Sequence, residues 1–344
     1  MLDIFNSDAF SITSLTDALR DIRPRPTRLN DLGLFTASSV ATTSISIERI
    51  GDILQIVAPT PRGGPGDTKD VPKRNIRSIP IPHFQRDWSV LAEEVQGLRA
   101  FGAQDQLVPY MSVIAQKLAD NAADLDITQE YSRIGAIQGV VTYKGGSSLD
   151  LYQTFGVAQP AEVNFDLTNL GAADGTLLKK CTSIIRATRK ALGAVNFSYI
   201  HCFCDDSFFD DLLTHPEVRK TYFNTNEAAF LRDSFVGPNR GSNPIFQFGG
   251  IVWENYGAID DTGDGALLGI PTGKAKFVPM GVPGLFRTYY APADYEETVN
   301  TLGQPNYAKQ WPMENGKGRN GEIQRNNLEI CTRPNALMRA KRTA

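Results

Sequence analysis

The chain has 344 residues, with 35 Lys and Arg against 38 Asp and Glu, a net charge of −3, and 41% hydrophobic residues. That length allows about two domains and a core that needs no staples, while the near-even charge balance excludes a dedicated nucleic-acid binder, so any contact with DNA is expected to be weak and patchwise. Four irregularly spaced cysteines, Cys181, Cys202, Cys204 and Cys331, make no disulfide framework and fit a reducing cytosol; the opening Met1 to Ile4 lacks a signal peptide's basic end, and no window approaches ~20 apolar residues, so no membrane span or anchor is expected.

In chain order, Ile12, Leu15, Leu19 and Ile22 predict a short amphipathic helix, after which Arg23, Pro24, Arg25 and Pro26 favour extended backbone. This opening reads as an arm. Ile45 and Ile47, then Ile53, Gln55 and Val57, alternate as strands do, with a turn expected at Ile50 to Asp52. Residues 59–74 have almost nothing to bury and lead into a second extended run, Ile76 to Pro82. Residues 43–84 therefore read as a long two-stranded arm, and because such a hairpin is not stable alone in water it must lie on something else.

A short helix is expected around Ser89 to Leu98. The strongest periodic signal follows: Leu107, Met111, Ile114, Leu118, Ala122 and Leu125 recur at steps of three and four, with Lys117, Asp120, Asp124 and Glu130 off the stripe. It predicts a helix over 107–138, which at ~1.5 Å per residue spans roughly 45 to 50 Å and acts as a spine. Pro109 sits in its first turn, and Gly139 followed by Val140, Val141 and Thr142 ends it.

Beyond the spine, Val140 to Tyr143 and Leu149 to Tyr152 predict a hairpin, and Asp174 is a candidate N-cap for a helix carrying Leu177, Cys181, Ile184, Ile185, Thr188 and Leu192. A strand over Asn196 to Cys204, a helix with Phe208, Phe209, Leu212 and Leu213, and then His215-Pro216 continue a second α/β unit from about 165 to 300. Asn327 to Thr332 reads as a strand returning to the first unit.

A search for reactive groups finds no catalytic, cofactor-binding or metal-binding set. Gly63, Gly64 and Gly66 lack the Lys and Ser/Thr end of a phosphate loop. His201, Cys202 and Cys204 would point to alternate faces of a strand and lack further ligands, which makes them core residues. The calcium-loop likeness from Asp260 fails at Pro271, its twelfth position, where a bidentate carboxylate is needed. Asp205-Asp206 and Asp210-Asp211 diverge as sequence neighbours and are expected on solvated faces. These readings favour a structural protein.

The run His215 to Tyr222, with Pro216 and Arg219; Phe248 to Tyr256; Lys276 to Gly281, with Pro279; and Tyr290 to Lys309, with Pro292, Asp294, Tyr295, Asn300, Gly303 and Tyr307, in that order and spacing resemble the lambda-type tailed-phage major capsid protein family, also called the phage major capsid protein E family. The closing Asn327 to Met338, a polar strand followed by Pro334 and a short apolar end, is similar too.

The resemblance implies an α+β tailed-phage major capsid fold: an N-terminal arm (1–42), an extended β-hairpin loop (43–84), a peripheral domain (85–164) with the spine helix 107–138, an axial domain (165–310), and a C-terminal return to the peripheral domain (311–344). It implies a major capsid protein, not an enzyme, that self-assembles as pentamers and hexamers into an icosahedral shell around phage double-stranded DNA, without cofactor or metal. The implied partners are further copies of itself, a scaffold, a portal, a decoration protein and weakly held DNA, with no membrane, and the implied location is the virion capsid after assembly in the host cytoplasm. Arg62, Lys69, Lys73 and Arg74 are the candidate inter-subunit contacts in the extended loop. An encapsulin-like compartment shell and a soluble enzyme with a lid at 59–74 are the alternatives.

Overall fold

Two β-sheets meet across one long helix in the structure, a computed structural model that describes residues 28–49, 75–95, 107–169, 171, 173–223, 243–257 and 269–343. The long helix, α3, spans Leu107–Gln138, after the short helices α1 (Arg28–Asp31) and α2 (Ala92–Val95). Of the stripe residues, Ile114, Leu118, Ala122 and Leu125 are buried, while the side chains of Leu107 and Met111 lie outside the described residues.

The stripe does not continue unchanged. From Leu125 to the end of α3 no residue is exposed, and Glu130, expected off the apolar face, is only 1% exposed. The reason is position: the first half of α3 lies on one sheet, whereas Ile134, Ala136 and Ile137 in the second half sit in a cluster shared by both sheets.

The first sheet is built on β14 (Gly318–Cys331), which pairs antiparallel with β4 (His83–Leu91), β13 (Tyr307–Pro312) and β12 (Phe286–Tyr290); β1 (Thr36–Ser39) adds in parallel to β12. The strand expected at Asn327 to Thr332 is thus only the end of a 14-residue strand. Its polar sequence hid the rest, because Arg325, Asn326, Asn327 and Glu329 are buried in hydrogen-bonded pairs instead of alternating with apolar residues. The helix expected over Ser89 to Leu98 starts later than read: β4 runs to Leu91, since Trp88 pairs opposite Gly321 and Val90 opposite Arg319, so α2 begins at Ala92, and residues 96–98 lie outside the described residues.

The second sheet has the order β7-β15-β11-β8-β10-β9, formed by β7 (Glu162–Asn164), β8 (Tyr199–Cys204), β9 (Ile245–Phe248), β10 (Ile251–Asn255), β11 (Lys274–Met280) and β15 (Met338–Lys341). On one of its faces, α5 (Thr176–Leu192), α6 (Asp206–Thr214) and α7 (Pro216–Phe223) bury Leu177, Cys181, Ile184, Phe208, Phe209, Leu212 and Val218 against Cys202, Cys204, Trp253 and Phe277. The segment after residue 311 serves both sheets, because β14 belongs to the first and β15 to the second.

Two separate hairpins complete the frame: β2 (Ser44–Arg49) with β3 (Asn75–Pro80), and β5 (Val140–Thr142) with β6 (Ser148–Asp150). The expected turn at Ile50 to Asp52, the expected helix around Ile12 to Ile22 and the loop from Asp260 lie outside the described residues. In the second hairpin the strand stops at Asp150 instead of reaching Tyr152, because the Asp150 carboxylate accepts from the backbone N–H groups of Tyr152 and Gln153, at 2.8 and 3.1 Å, and starts α4 (Leu151–Phe155).

Two carboxylates behave differently from expectation for similar reasons. Asp174 does not cap α5 but pairs with Lys220, and Asp205, expected on a solvated face, is buried as the N-cap of α6, accepting from the Ser207 and Gly273 N–H groups.

Ile114, 2% exposed among Trp88, Val90, Leu118 and Ile323, gives the packing a direct test. A carboxylate there has no partner and costs several kcal/mol, about 3 or more, or is forced to stay protonated. Ile114→Asp is expected to yield insoluble protein, while the exposed Gln116→Ala stays soluble with wild-type circular dichroism. A soluble, folded Ile114→Asp would show that this face of α3 is not packed.

Candidate assembly and support sites

The residues from His215 onward join three helices. His215 ends α6 with its N–H on the Leu212 carbonyl, and its Nδ1 accepts from the Glu217 N–H at 3.3 Å. Burial holds the His215 imidazole below its ordinary value, which suits an accepting, uncharged ring. Pro216 opens α7, where its missing N–H is harmless. Glu217 then reaches across to α5, accepting from the Leu177 and Leu178 N–H groups at 3.0 Å each. It does the capping that the sequence assigned to Asp174, and negative charge at that end also suits the helix dipole. Arg219 lies in the same turn of α7, and the side chain of Tyr222 lies outside the described residues.

Pro279 and Gly281 shape the end of β11. Pro279 is buried where β11 has run past β15, which pairs only Lys274 to Phe277, so a residue without an N–H costs the ladder little. Gly281 has φ +76°, and a Cβ on it would fall 2.3 Å from Ser198 Oγ.

Residues 290–309 form a loop that braces itself. Ala293, Tyr295 and Tyr307 make a small cluster, and the Pro292 carbonyl accepts from Asn326 Nδ2 at 2.8 Å. Asp294 accepts from Gln324 Nε2 at 2.6 Å. Lys309 lies over the Tyr295 ring, 4.9 Å from its centroid, and pairs with Glu297. Tyr307 Oη accepts from the Gln304 N–H. Asn300 takes a left-handed conformation, φ +59°, which Asn tolerates better than most side chains. Gly303 donates its N–H to the Val40 carbonyl and passes so close to the chain at Tyr290 that a Cβ would lie 2.2 Å from that carbonyl oxygen. The result is a fixed loop displaying Val299 and Leu302, 64% and 65% exposed.

Beneath these surfaces run buried ion pairs. Glu254 on β10, fully buried, accepts from Arg28 Nε and Nη2 at 2.5 and 2.9 Å and faces His201 Nε2 at 2.7 Å. Burial pushes this carboxyl up, but hydrogen bonds from His201 and Arg28 outweigh it and hold Glu254 below its ordinary 4.5. Glu130 Oε1 accepts from the Leu29 N–H and the Tyr256 hydroxyl, and Arg325 bridges Asp126, Gln129 and Asn306. The four cysteines are buried thiols; burial raises Cys202 and pushes Cys181 and Cys331 up to about 12, so these three are not poised as nucleophiles. Among the described residues no group of three or more His, Cys, Asp or Glu is placed to hold a metal, and no helix is long and apolar enough to cross a membrane. Arg62, Lys69, Lys73 and Arg74 lie outside the described residues.

The family motif residues therefore support shape and no reaction, and comparison with known proteins agrees. Residues 11–342 match the family model described as phage major capsid protein E. The chain belongs to that family. The major capsid protein of Salmonella phage Felix O1 is 24% identical over 98% of both chains, and that of Pseudomonas phage KPP10 is 25% identical over 96% of this chain and 97% of its own. A crystal structure assigned as a prophage capsid protein of E. coli CFT073 superposes with a TM-score of 0.59 at 14% identity, covering 98% of this chain and 100% of its own, and so shares the fold. The chain is a phage major capsid protein with the tailed-phage capsid fold, a structural protein and not an enzyme.

Two measurements probe the support residues. Gly303→Ala forces a methyl into backbone and is expected to cost about 1–3 kcal/mol, several degrees in Tm, whereas Asn300→Gly costs less than about 1. Equal thermal midpoints for the two would show that the close approach at Gly303 is not required. For pH, a depressed carboxylate stabilises the fold above its unfolded value, and that contribution is lost as pH falls through its folded value. The wild type is thus expected to weaken below about pH 4.5. Glu254→Gln should be less stable at neutral pH and show a flatter acid limb in denaturant titrations; an unchanged acid limb would exclude Glu254 as a source of it.

Proposed function

We propose that copies of this capsid protein assemble as pentamers and hexamers into an icosahedral shell around phage double-stranded DNA. In this reading the second sheet with α5, α6 and α7 is the axial domain around which capsomers close, and α3 with the first sheet is the peripheral domain. Residues 1–42 are the arm and 43–84 the extended loop.

The observation that carries the reading is the β2–β3 hairpin. Among the described residues its strands pair only with each other, from Ser44 opposite Pro80 to Arg49 opposite Asn75, and its base is held by the buried pair Ile45 and Ile79 with Ile47 beside them. A two-stranded ribbon with so little of its own to bury is stable only on another surface, and a neighbouring copy supplies one. Arg62, Lys69, Lys73 and Arg74 on the connecting segment would meet acidic groups there. Assembly in the host cytoplasm with a scaffold, a portal and a decoration protein completes the proposal, with the chain ending in the virion capsid.

Replacing 60–73 with a short Gly-Ser turn tests it. The subunit is expected to stay soluble, with nearly unchanged helix content and thermal midpoint, while closed shells counted by negative-stain microscopy fall severely. Unfolding would place the segment in the subunit's own core. Normal shells would remove the loop from assembly.

A further inference from the structure

Helix α5 is the most one-sided element in charge. Its 17 residues include Lys179, Lys180, Arg186, Arg189 and Lys190 and no acidic residue, in a chain whose net charge is −3. Lys180 is turned inward, donating to the Phe165 carbonyl at 2.7 Å. Lys179, Arg186, Arg189 and Lys190 are exposed, and their side chains hold no ion pair or hydrogen bond among the described residues.

Several other surface cations are paired, Lys117 with Glu94, Lys220 with Asp174, Lys274 with Glu162, Lys309 with Glu297 and Arg342 with Asp211, while Arg287 and Lys317, without an ion pair among the described residues, lie elsewhere in the chain and not in a row. Helix capping does not account for the four. The N-terminal end of α5 is closed by Glu217, and at its C-terminal end Arg333 Nη1 donates to the Leu192 carbonyl and Asn335 Nδ2 to the Ala191 carbonyl. The helix dipole favours Arg189 and Lys190 but disfavours Lys179, about three turns nearer the positive end.

Spacing makes them a surface. Lys179, Arg186 and Lys190 fall at steps of seven and four, which places them along one ridge about 16 Å long, with Arg189 beside it. Leu178, 47% exposed, is the one large apolar side chain exposed on α5. Cations without an apolar anchor are a poor protein interface, whose centre is depleted in charge and rich in aromatic residues, but they suit a phosphate backbone.

We propose that the exposed ridge of α5 is the surface by which the capsid protein touches packaged DNA, through non-specific contacts from Lys179, Arg186, Arg189 and Lys190 to phosphates. This rests on the reading of the shell as a container for double-stranded DNA and adds to it which face of the subunit meets the genome. The overall negative charge keeps the contact weak, as a packaged and later ejected genome requires.

The test uses the full-length chain, with Lys179→Gln, Arg186→Gln, Arg189→Gln and Lys190→Gln combined, and a control that removes four paired cations instead, Lys117→Gln, Lys220→Gln, Lys274→Gln and Lys309→Gln. Binding of a fluorescent duplex of about 30 base pairs is titrated between roughly 50 and 200 mM NaCl, after circular dichroism has matched the folds. The ridge variant is expected to lose more than about tenfold in affinity at low salt, and its salt slope to shrink by up to about 3.6, near 0.9 for each of the four lost phosphate contacts. The control is expected to stay close to wild type.

Equal losses in both variants would overturn the proposal in favour of net charge, and an unchanged ridge variant would overturn it outright. Loss of poly-glutamate binding with DNA binding retained would assign the ridge to an acidic protein and also overturn it. The underlying reading fails separately, if wild-type shells hold no nuclease-protected DNA.

Discussion

Everything else in the subunit hangs on the polar contact between the second half of α3 and the middle of β14. Arg325, 4% exposed along its side chain, reaches Asp126 at 2.7 Å and Gln129 at 3.1 Å; Gln129 in turn donates to Glu329, as does Asn327. Burial pushes Glu329 up, against those two hydrogen bonds. A buried pair of this kind adds little net stability over apolar residues of the same size, yet losing one partner costs about 3–5 kcal/mol. It acts as a register. An apolar strand could slide along an apolar helix, but this one fits at a single offset. Because β4, β12 and β13 all pair with β14, and β1 with β12, fixing that offset fixes the first sheet.

The same device ties the start of the described chain to both layers. Arg28 goes to Glu254 on the second sheet, the Leu29 N–H goes to Glu130 on α3, and Asn30 accepts from Arg133 on α3. Tyr256, beyond β10, shares Glu130 with Leu29, so one carboxylate holds three parts of the molecule together. The described chain therefore starts, at Arg28, from a point fixed both to α3 and to the second sheet.

These contacts also explain what was legible in the sequence. The stripe from Ile114 to Leu125 announced α3 because that half of the helix has one wet side. Nothing announced the burial of Glu130, since the groups that satisfy it, Leu29 and Tyr256, lie 101 and 126 residues away. Asp174 looked like a cap by local rules, and the cap came from Glu217, 40 residues beyond the Leu177 N–H that it accepts. β14 was found only at its end because a buried polar strand carries no period to read. The family motif was readable as a pattern, but its physical content was not: Gly303 and Gly281 mark close backbone approaches, and His215 and Glu217 mark a junction of three helices. Local chemistry survives in sequence; a pairing across the fold leaves its two halves unlabelled.

The division between what folds the subunit and what joins subunits follows. From the β2–β3 hairpin and its edge the buried clusters take Ile45 and Ile79, with Ile47 and Ile81 packed against them, and they close without Val299 and Leu302. The loop that carries those two side chains is held by Gly303, Tyr307 and Lys309, so they are presented and not merely left over. Fully burying one such side chain is worth about 1.5–3 kcal/mol, far below what holds a permanent dimer. In the shell proposed above, contacts of that size between copies would add up while each stayed weak enough to break and reform. A subunit that buried Val299 and Leu302 internally would fold more stably but would carry no large apolar surface on this loop.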